Sequence, residues 1–373
     1  MFSWIALNMT PGVGPRAATK LLERFGSADA VFHARRSELE SLRLRAETVE
    51  SIIKREFEEK AKVELERVKE LGGDVLILDD GSYPLLLREI DDPPPVLYVK
   101  GDWQACFDQP SVGVIGSRTC STYGENSSEM ISRDLASRGL TITSGLARGI
   151  DTAAHRGAIR GHGRTIAVMG TGLDAVYPRE NTGLTREILA SGGCLVTQFP
   201  LGTPPLKDNF PYRNRIISGL SYGVLIVEAS ERSGSLITAR LATEQGREVM
   251  AVPGNITSGN SFGTNYLIKS GAKLVQQWQD VVAELPSEIA AAILPPKVED
   301  DRREQRQQPL APADLTPHEH QVWSLLTPDE ATHIDILLET SGLSFGDLNN
   351  ALVSLDIRDL IRVLPGKNYA RRM

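Results

Sequence analysis

The sequence predicts an α/β fold built on a doubly wound, mainly parallel sheet. Three observations carry the prediction. Short buried-type runs recur from residue 111 onward, helical stretches lie between them, and 373 residues suffice for two or three domains. The strand candidates are SVGVI (111–115), LTITS (140–144), TIAVM (165–169), CLVTQ (194–198), VLIVEA (224–229), EVMAV (248–252) and KLVQ (273–276).

Residues 1–75 read as a helical domain. PGVGPRAATKLLERFGSADAVF (11–32) sets a Gly-rich turn before an apolar stripe of Ala17, Leu21, Leu22 and Phe25. The turn resembles a helix-hairpin-helix, whose N–H groups can face a DNA phosphate. A tight turn between two helices of a small helical domain fits the same residues. A charged helix then ends near Leu71, DDPPP (91–95) breaks any helix, and VLYVKG (96–101) reads as extended. The sheet domain spans 76–294. Residues 295–312 carry four positive and four negative charges and almost no apolar side chains, so a flexible linker is expected. In 313–373, three helical patterns precede LIRVLPGKNYARR (360–372), and three helices with a hairpin resemble a winged helix-turn-helix.

Composition narrows the classes. Hydrophobic residues make up 41% and charged residues 24%, which is globular, and the net charge of −7 argues against a basic, chromatin-like coat. Cys106, Cys120 and Cys194 form no CxxC pair, excluding a disulfide framework and a Cys-based zinc site. No run approaches the roughly 18 apolar residues of a membrane span, and the first basic residue is Arg16. Neither a span nor a signal peptide is expected, and the expected compartment is a reducing cytoplasm.

Several catalytic signatures fail on context. GLSYG (219–223), GNSFG (259–263) and GLSFG (342–346) match GxSxG but lack the strand-turn-helix setting of a nucleophile elbow. GTGLDA (170–175) follows a strand, yet Tyr177-Pro178 blocks the helix a dinucleotide site needs, and Gln198 stands where an acid should end the next strand. No Gly-Lys precedes Ser or Thr, so a Walker A loop is absent. Asp151 and His155, one helical turn apart with His162 downstream, make a weak metal pair, and capping or core roles fit them better.

What remains is a set of loops at the C-terminal ends of strands, where open α/β sheets bind ligands. GSRTCSTYG (116–124) offers Ser117, free N–H groups of a helix start and the forked donor Arg118. SGLARGID (144–151) and SERSGSLITA (230–239) repeat the pattern, which predicts a phosphate-binding rim. FPLGTPPLKDNFPYRNRIISG (199–219), read as a Pro-stiffened loop, supplies Lys207, Arg213 and Arg215 against Asp208, interleaved with Phe210 and Tyr212. Cations that track a backbone, beside aromatics that stack bases, suit single-stranded nucleic acid. The alternative is that the aromatics anchor the core and the cations are solvated.

At these residues the chain resembles the DNA-processing protein A (DprA or Smf) family. The stretches are GSRTCSTYG, SGLARGIDTAAHRGAI (144–159), TIAVMGTGLDAVYPREN (165–181), FPYRNRIISGLS (210–221), SGSLITA (233–239) and VPGNITSGNSFGTNYLIKSGA (252–272). The resemblance implies an extended Rossmann-like domain between an N-terminal helix-hairpin-helix/SAM-like domain and a C-terminal winged helix. It implies a protein without catalytic residues, cofactor or metal that binds single-stranded DNA and protects it. Such a protein loads RecA recombinase in natural transformation and homologous recombination. The family's phosphate-binding Arg falls on Arg118, its Lys and base-contacting Phe on Lys207 and Phe210, and its Ser-Gly-Ser turn on Ser233, Gly234 and Ser235. Gln198 departs from the family's usual Glu. Family members dimerise through the sheet domain, and the apolar cluster Tyr266, Leu267 and Ile268 is the expected face.

Two rivals are weaker. Related nucleotide phosphoribohydrolases carry a catalytic Glu beside PGGxGT, whereas PGNITSGNSFGTN (253–265) has neither the second Gly nor a Glu. A sequence-specific regulator would need a basic recognition helix. SFGDLNNALVSLDIRDL (344–360) instead sets Asp347, Asp356 and Asp359 against Arg358. The winged helix is therefore expected to contact protein or to modulate the core.

Overall fold

The computed structural model describes residues 1–294, 315–328 and 330–372. The expected linker at 295–312 lies outside the described residues. Six helices open the chain: Phe2–Met9 (α1), Pro15–Phe25 (α2), Ala28–Phe32 (α3), Arg36–Ser41 (α4), Ala46–Ile53 (α5) and Glu58–Glu70 (α6). The Gly-rich turn leads into α2. Gly12 has φ 82°, and a Cβ there would sit 2.3 Å from Thr48 Oγ1, so the position admits only glycine. Pro15 takes the first helical position, where a missing N–H leaves no bond unmade.

Nine strands make one sheet: Gly73–Ile77 (β1), Val96–Gly101 (β2), Ser111–Ile115 (β3), Thr141–Ser144 (β4), Thr165–Val168 (β5), Cys194–Thr197 (β6), Gly223–Ile226 (β7), Glu248–Ala251 (β8) and Lys273–Leu274 (β9). Their order is β1-β2-β6-β5-β4-β3-β7-β8-β9. Strands β3 to β9 pair in parallel, while β1 and β2 run antiparallel at one edge. The sheet is mixed and mainly parallel, as expected. Strand β1 was not anticipated, because it follows the charged helix α6 with no turn residues other than Gly72-Gly73. Strand β9 keeps two residues of the expected KLVQ, since β8 offers it only Met250 and Ala251 as partners.

Between the strands lie Leu85–Arg88 (α7), Trp103–Asp108 (α8), Thr122–Ala136 (α9), Ile150–Arg160 (α10), Thr182–Ala190 (α11) and Asn209–Gly219 (α12). Ser235–Glu244 (α13), Phe262–Lys269 (α14), Trp278–Ala283 (α15) and Ser287–Ile293 (α16) complete the domain. Alternate strand residues face opposite layers. In β5, Ile166 and Val168 join Ile216, Ile217 and Ala239 of α12 and α13, whereas Ala167 joins the N-terminal helices. On that second face, Val112 and Val114 of β3 pack with Ile131 and Ala154 of α9 and α10. The N-terminal helices thus share an apolar core with the sheet.

Sequence order reverses at β3. The chain steps outward through β4, β5 and β6, then returns to place β7 on the other side of β3. A crevice opens beyond the strand ends at such a switch point. The loops after β3 and β7 flank it.

The C-terminal unit contains Pro317–Leu325 (α17), Ile334–Ser341 (α18) and Phe345–Ile357 (α19), with strands Thr332–His333 (β10), Ile361–Leu364 (β11) and Asn368–Arg371 (β12). Its sheet runs β10-β12-β11 around its own core of Val322, Leu337, Leu348, Leu352 and Ile361. This is the expected winged helix. It docks on α9 and α10 mainly through charge. Arg362 lies 2.7 Å from Glu125 and 3.5 Å from Glu129, and Arg160 lies 3.6 Å from Asp359. Asn126 Nδ2 donates to Pro328 O at 2.7 Å. Arg362→Ala should therefore loosen the docked unit without unfolding either core. A double-mutant cycle with Glu125→Ala should give a coupling of about 1 kcal/mol in low salt, and zero coupling with unchanged small-angle scattering would reject the contact.

Candidate nucleic-acid interface

A cleft of about 690 Å³ opens at the switch point. Its walls come from the loop after β3 (Gly116, Ser117, Arg118), the loop after β7 (Ser230 to Ser235) and the start of α12. Lys207 and Phe210 line it, as do Tyr177 and Asp151. Arg118, Lys207, Phe210, Ser117 and the Ser233–Gly234–Ser235 turn, separate in sequence, are thus brought together.

Phe210 organises the cleft floor. The Arg118 guanidinium lies over its ring, 5.3 Å from the centroid. On another side the Tyr177 ring approaches to 5.5 Å at 45°. Tyr177 had entered the sequence argument only as a residue that blocks a helix. An aromatic in the loop that follows β5 at the sheet edge was the available signal. Residues 209–219, expected to be loop, form helix α12, with Pro211 accepted in its first turn. Phe210, Arg213 and Ile217 then fall at helical spacing, which is why they face one way.

Two expected contact cations are placed differently. Arg213 and Arg215 are each 3% exposed. Arg213 donates to the carbonyls of Gly145 and Val168, reaching the cleft only as part of its floor. Burial lowers its pKa to about 10, against the opposing pull of Asp151, so it stays charged at neutral pH. Gly145 is wedged here: a Cβ would lie 2.6 Å from both Arg213 Nη1 and Asp151 Oδ2. Arg215 does not line the cleft. It donates to Asp92 O at 2.7 Å and to Gln198 Oε1, with the Asp92 carboxylate 3.8 Å away. Gln198 is therefore a neutral acceptor for an arginine whose counter-charge comes from Asp92.

The expected rim of three free helix starts is filled largely from within the protein. Glu228 accepts from Ser121 N at 2.9 Å and from Ser121 Oγ at 2.5 Å, filling the N-terminus of α9 with an internal carboxylate. Asp151 does the same for the second loop, accepting from Gly145 N and Ala147 N at 3.1 and 3.3 Å. The third start, at α13, has a glycine N-cap and no acid in its first turn, and there Ser235 N donates to Ser233 Oγ at 3.4 Å while Leu236 N and Ile237 N donate to the Ser233 and Gly234 carbonyls. There Ser233 and Ser235 hydroxyls meet at 2.7 Å. Ser117 lines the cleft, while its hydroxyl accepts from Thr119 N at 3.2 Å.

Asp151 and His155 do not form a metal pair. His155 is wholly buried, and its Nδ1 lies 2.7 Å from Thr165 Oγ1. Thr165 Oγ1 already donates to Ile142 O, so it accepts from Nδ1–H. Among the described residues, no group of three or more His, Cys, Asp or Glu side chains could hold a metal ion, and no helix could cross a membrane.

This geometry defines a doubly wound α/β protein with a cationic, aromatic-floored cleft at its switch point. Comparison with known proteins narrows the class. The DNA recombination-mediator protein A family matches residues 74–286, and the DprA winged helix domain matches residues 306–367. Protein Smf of Synechocystis is 35% identical over 99% of this chain and 98% of its own length. Protein Smf of Escherichia coli is 42% identical over 79% of this chain and 76% of its own. The X-ray structure of DNA processing protein A from Streptococcus pneumoniae superposes with a TM-score of 0.68 at 38% identity, covering 77% of this chain and 98% of that one. A structure on the single-stranded DNA binding mode of DNA processing protein A from Helicobacter pylori gives 0.51 at 31%, covering 56% and 93%. The chain belongs to the DprA/Smf family of DNA processing proteins.

Burial pushes the His155 pKa from its ordinary 6.5 down to about 3. Between those values the unfolded chain binds a proton that the folded chain refuses. Stability is then full above about pH 6.5 and falls as pH drops, by up to about 1.4 kcal/mol per unit. Melts across that range should fall more steeply for the wild type than for His155→Gln. Parallel slopes would show that His155 is not the titrating group.

Proposed function

We propose that this chain binds single-stranded DNA along the switch-point cleft, protects it, and loads RecA recombinase on it in natural transformation and homologous recombination. One observation carries the binding mode: the Phe210 ring on the cleft floor, flanked by the exposed cations Arg118 and Lys207. A base stacks on Phe210, and Tyr177 closes one side. Arg118, Lys207 and the Ser233–Gly234–Ser235 turn take phosphates, since guanidinium, ammonium and hydroxyl groups all suit an anion. The RecA step rests on the family's description as a recombination mediator.

The cleft acts as a binding site and not as a catalyst in this reading. The two acids closest to a hydrolytic role are engaged: Asp151 on loop N–H groups and Glu228 on the start of α9. Neither is left as a general base for glycosidic cleavage.

The working form is a homodimer through the outer face of α14, in the cytoplasm. Phe262 and Tyr266 of that helix are 53% and 60% exposed, whereas Leu267 packs inward against the α12–α13 layer. Tyr266→Glu should give monomers in sedimentation at micromolar concentration. A wild type that is itself monomeric there would overturn the dimer.

Gel shifts over a salt series test the DNA mode. Arg118→Ala should lower the log–log salt slope by about 0.7. Lys207→Ala should show a defect that shrinks as salt rises. Phe210→Ala should cost about 1–3 kcal/mol at every salt concentration, and Phe210→Trp should bind. Unchanged affinity in folded Phe210→Ala would refute the stacking role. RecA filament formation on single strands coated with single-strand-binding protein should rise with the wild type and not with Phe210→Ala.

A further inference from the structure

We propose that the strand does not end in the switch-point cleft but continues over Pro211 and Ile237 into a second groove, between the N-terminal helices and helices α12 and α13. The inference rests on the single-strand reading above and adds a second contact to it. The groove encloses about 550 Å³. Gly14 to Ala17, at the start of α2, form one wall. Tyr212 and Arg215 of α12 and Ile237, Arg240 and Leu241 of α13 form the other. Pro211 and Ile237 line both cavities, so the two adjoin at these side chains.

The lining has the chemistry of a backbone-tracking, base-stacking site. Tyr212 follows Phe210 by two residues, about 200° around the helix. One aromatic therefore faces the cleft and the next faces the groove. Tyr212 is 53% exposed. Arg16 and Arg240 are exposed on opposite walls, and Arg240 pairs with the exposed Glu244 at 3.6 Å. The one acid in the lining, Asp92, faces Arg215 at 3.8 Å, so the groove is net positive. An exposed aromatic between cations, opening from a cleft that already holds the strand, takes the next nucleotides of that strand. The Gly-Val-Gly turn gains a role as the wall that carries Arg16.

Oligothymidylates of about 6 and about 16 nucleotides separate the two sites, since known single-strand sites span about 4–16. Tyr212→Ala should weaken the longer oligonucleotide by at least about fivefold and leave the shorter one unchanged. Tyr212→Phe should bind both as the wild type does. Arg16→Ala should lower the salt slope by about 0.7 for the longer oligonucleotide alone. Equal losses at both lengths, or none at either with an unchanged melt, would overturn the groove. If Phe210→Ala weakens both lengths while Tyr212→Ala weakens neither, the groove fails and the cleft stands. If Phe210→Ala weakens neither, both fail.

Discussion

Arg213 carries its charge into the interior, where a guanidinium is stable only with hydrogen-bond acceptors and a balancing charge close by. It finds them at the ends of two strands. Gly145 O lies just beyond β4 and Val168 O closes β5, and Nη1 donates to both. Asp151 supplies the balancing field from beneath. Helix α12 is thereby pinned across the C-terminal edge of the sheet at one point. Phe210, one turn earlier, inherits its position from that pin, and Arg118 and Tyr177 inherit theirs from Phe210. Removing one partner of such a buried charge costs about 3–5 kcal/mol, so the floor would be lost along with the tie.

The strands were readable because parallel strands covered on both faces become short apolar runs, and five of the seven expected runs hold nearly their full length, while VLIVEA and KLVQ keep half of theirs. The assembly of Arg118, Lys207, Phe210 and the serine turn was readable for a related reason. Open α/β sheets collect ligand groups at one edge, so loop position stood in for distance. Burial was harder to read. Arg213 and Arg215 share a stretch with the exposed Tyr212, and nothing in their identity separates a contact cation from a structural one. Reading 209–219 as a helix would have helped, because Phe210, Arg213 and Ile217 then share a face. The proline at 211 hid that helix, although the first turn tolerates it. The internal carboxylates were invisible for a different reason. Glu228 reaches Ser121 across 107 residues, a pairing that only the fold creates.

The two flanking units are joined to the sheet by different forces. The N-terminal helices share one apolar cluster with Val96, Tyr98 and Leu195, and Glu64 accepts from Leu201 N at 2.7 Å within it. The winged helix keeps a core of its own and meets α9 and α10 through ions. Apolar burial is not screened by salt, whereas partly exposed ion pairs weaken as salt rises. One end of the chain is therefore built as part of the body and the other as an attachment.

Before any base arrives, the Phe210 ring already carries a flat partner, the Arg118 guanidinium at 5.3 Å. In the proposed binding mode, a base that stacks there would take over a surface that is partly dehydrated in the free protein. The ring exchanges one planar neighbour for another, and the displaced guanidinium becomes available to the phosphate that follows the base. Little new apolar area leaves water in that exchange. In calorimetric terms, the association should show a small heat-capacity change, because that quantity reports apolar area removed from solvent.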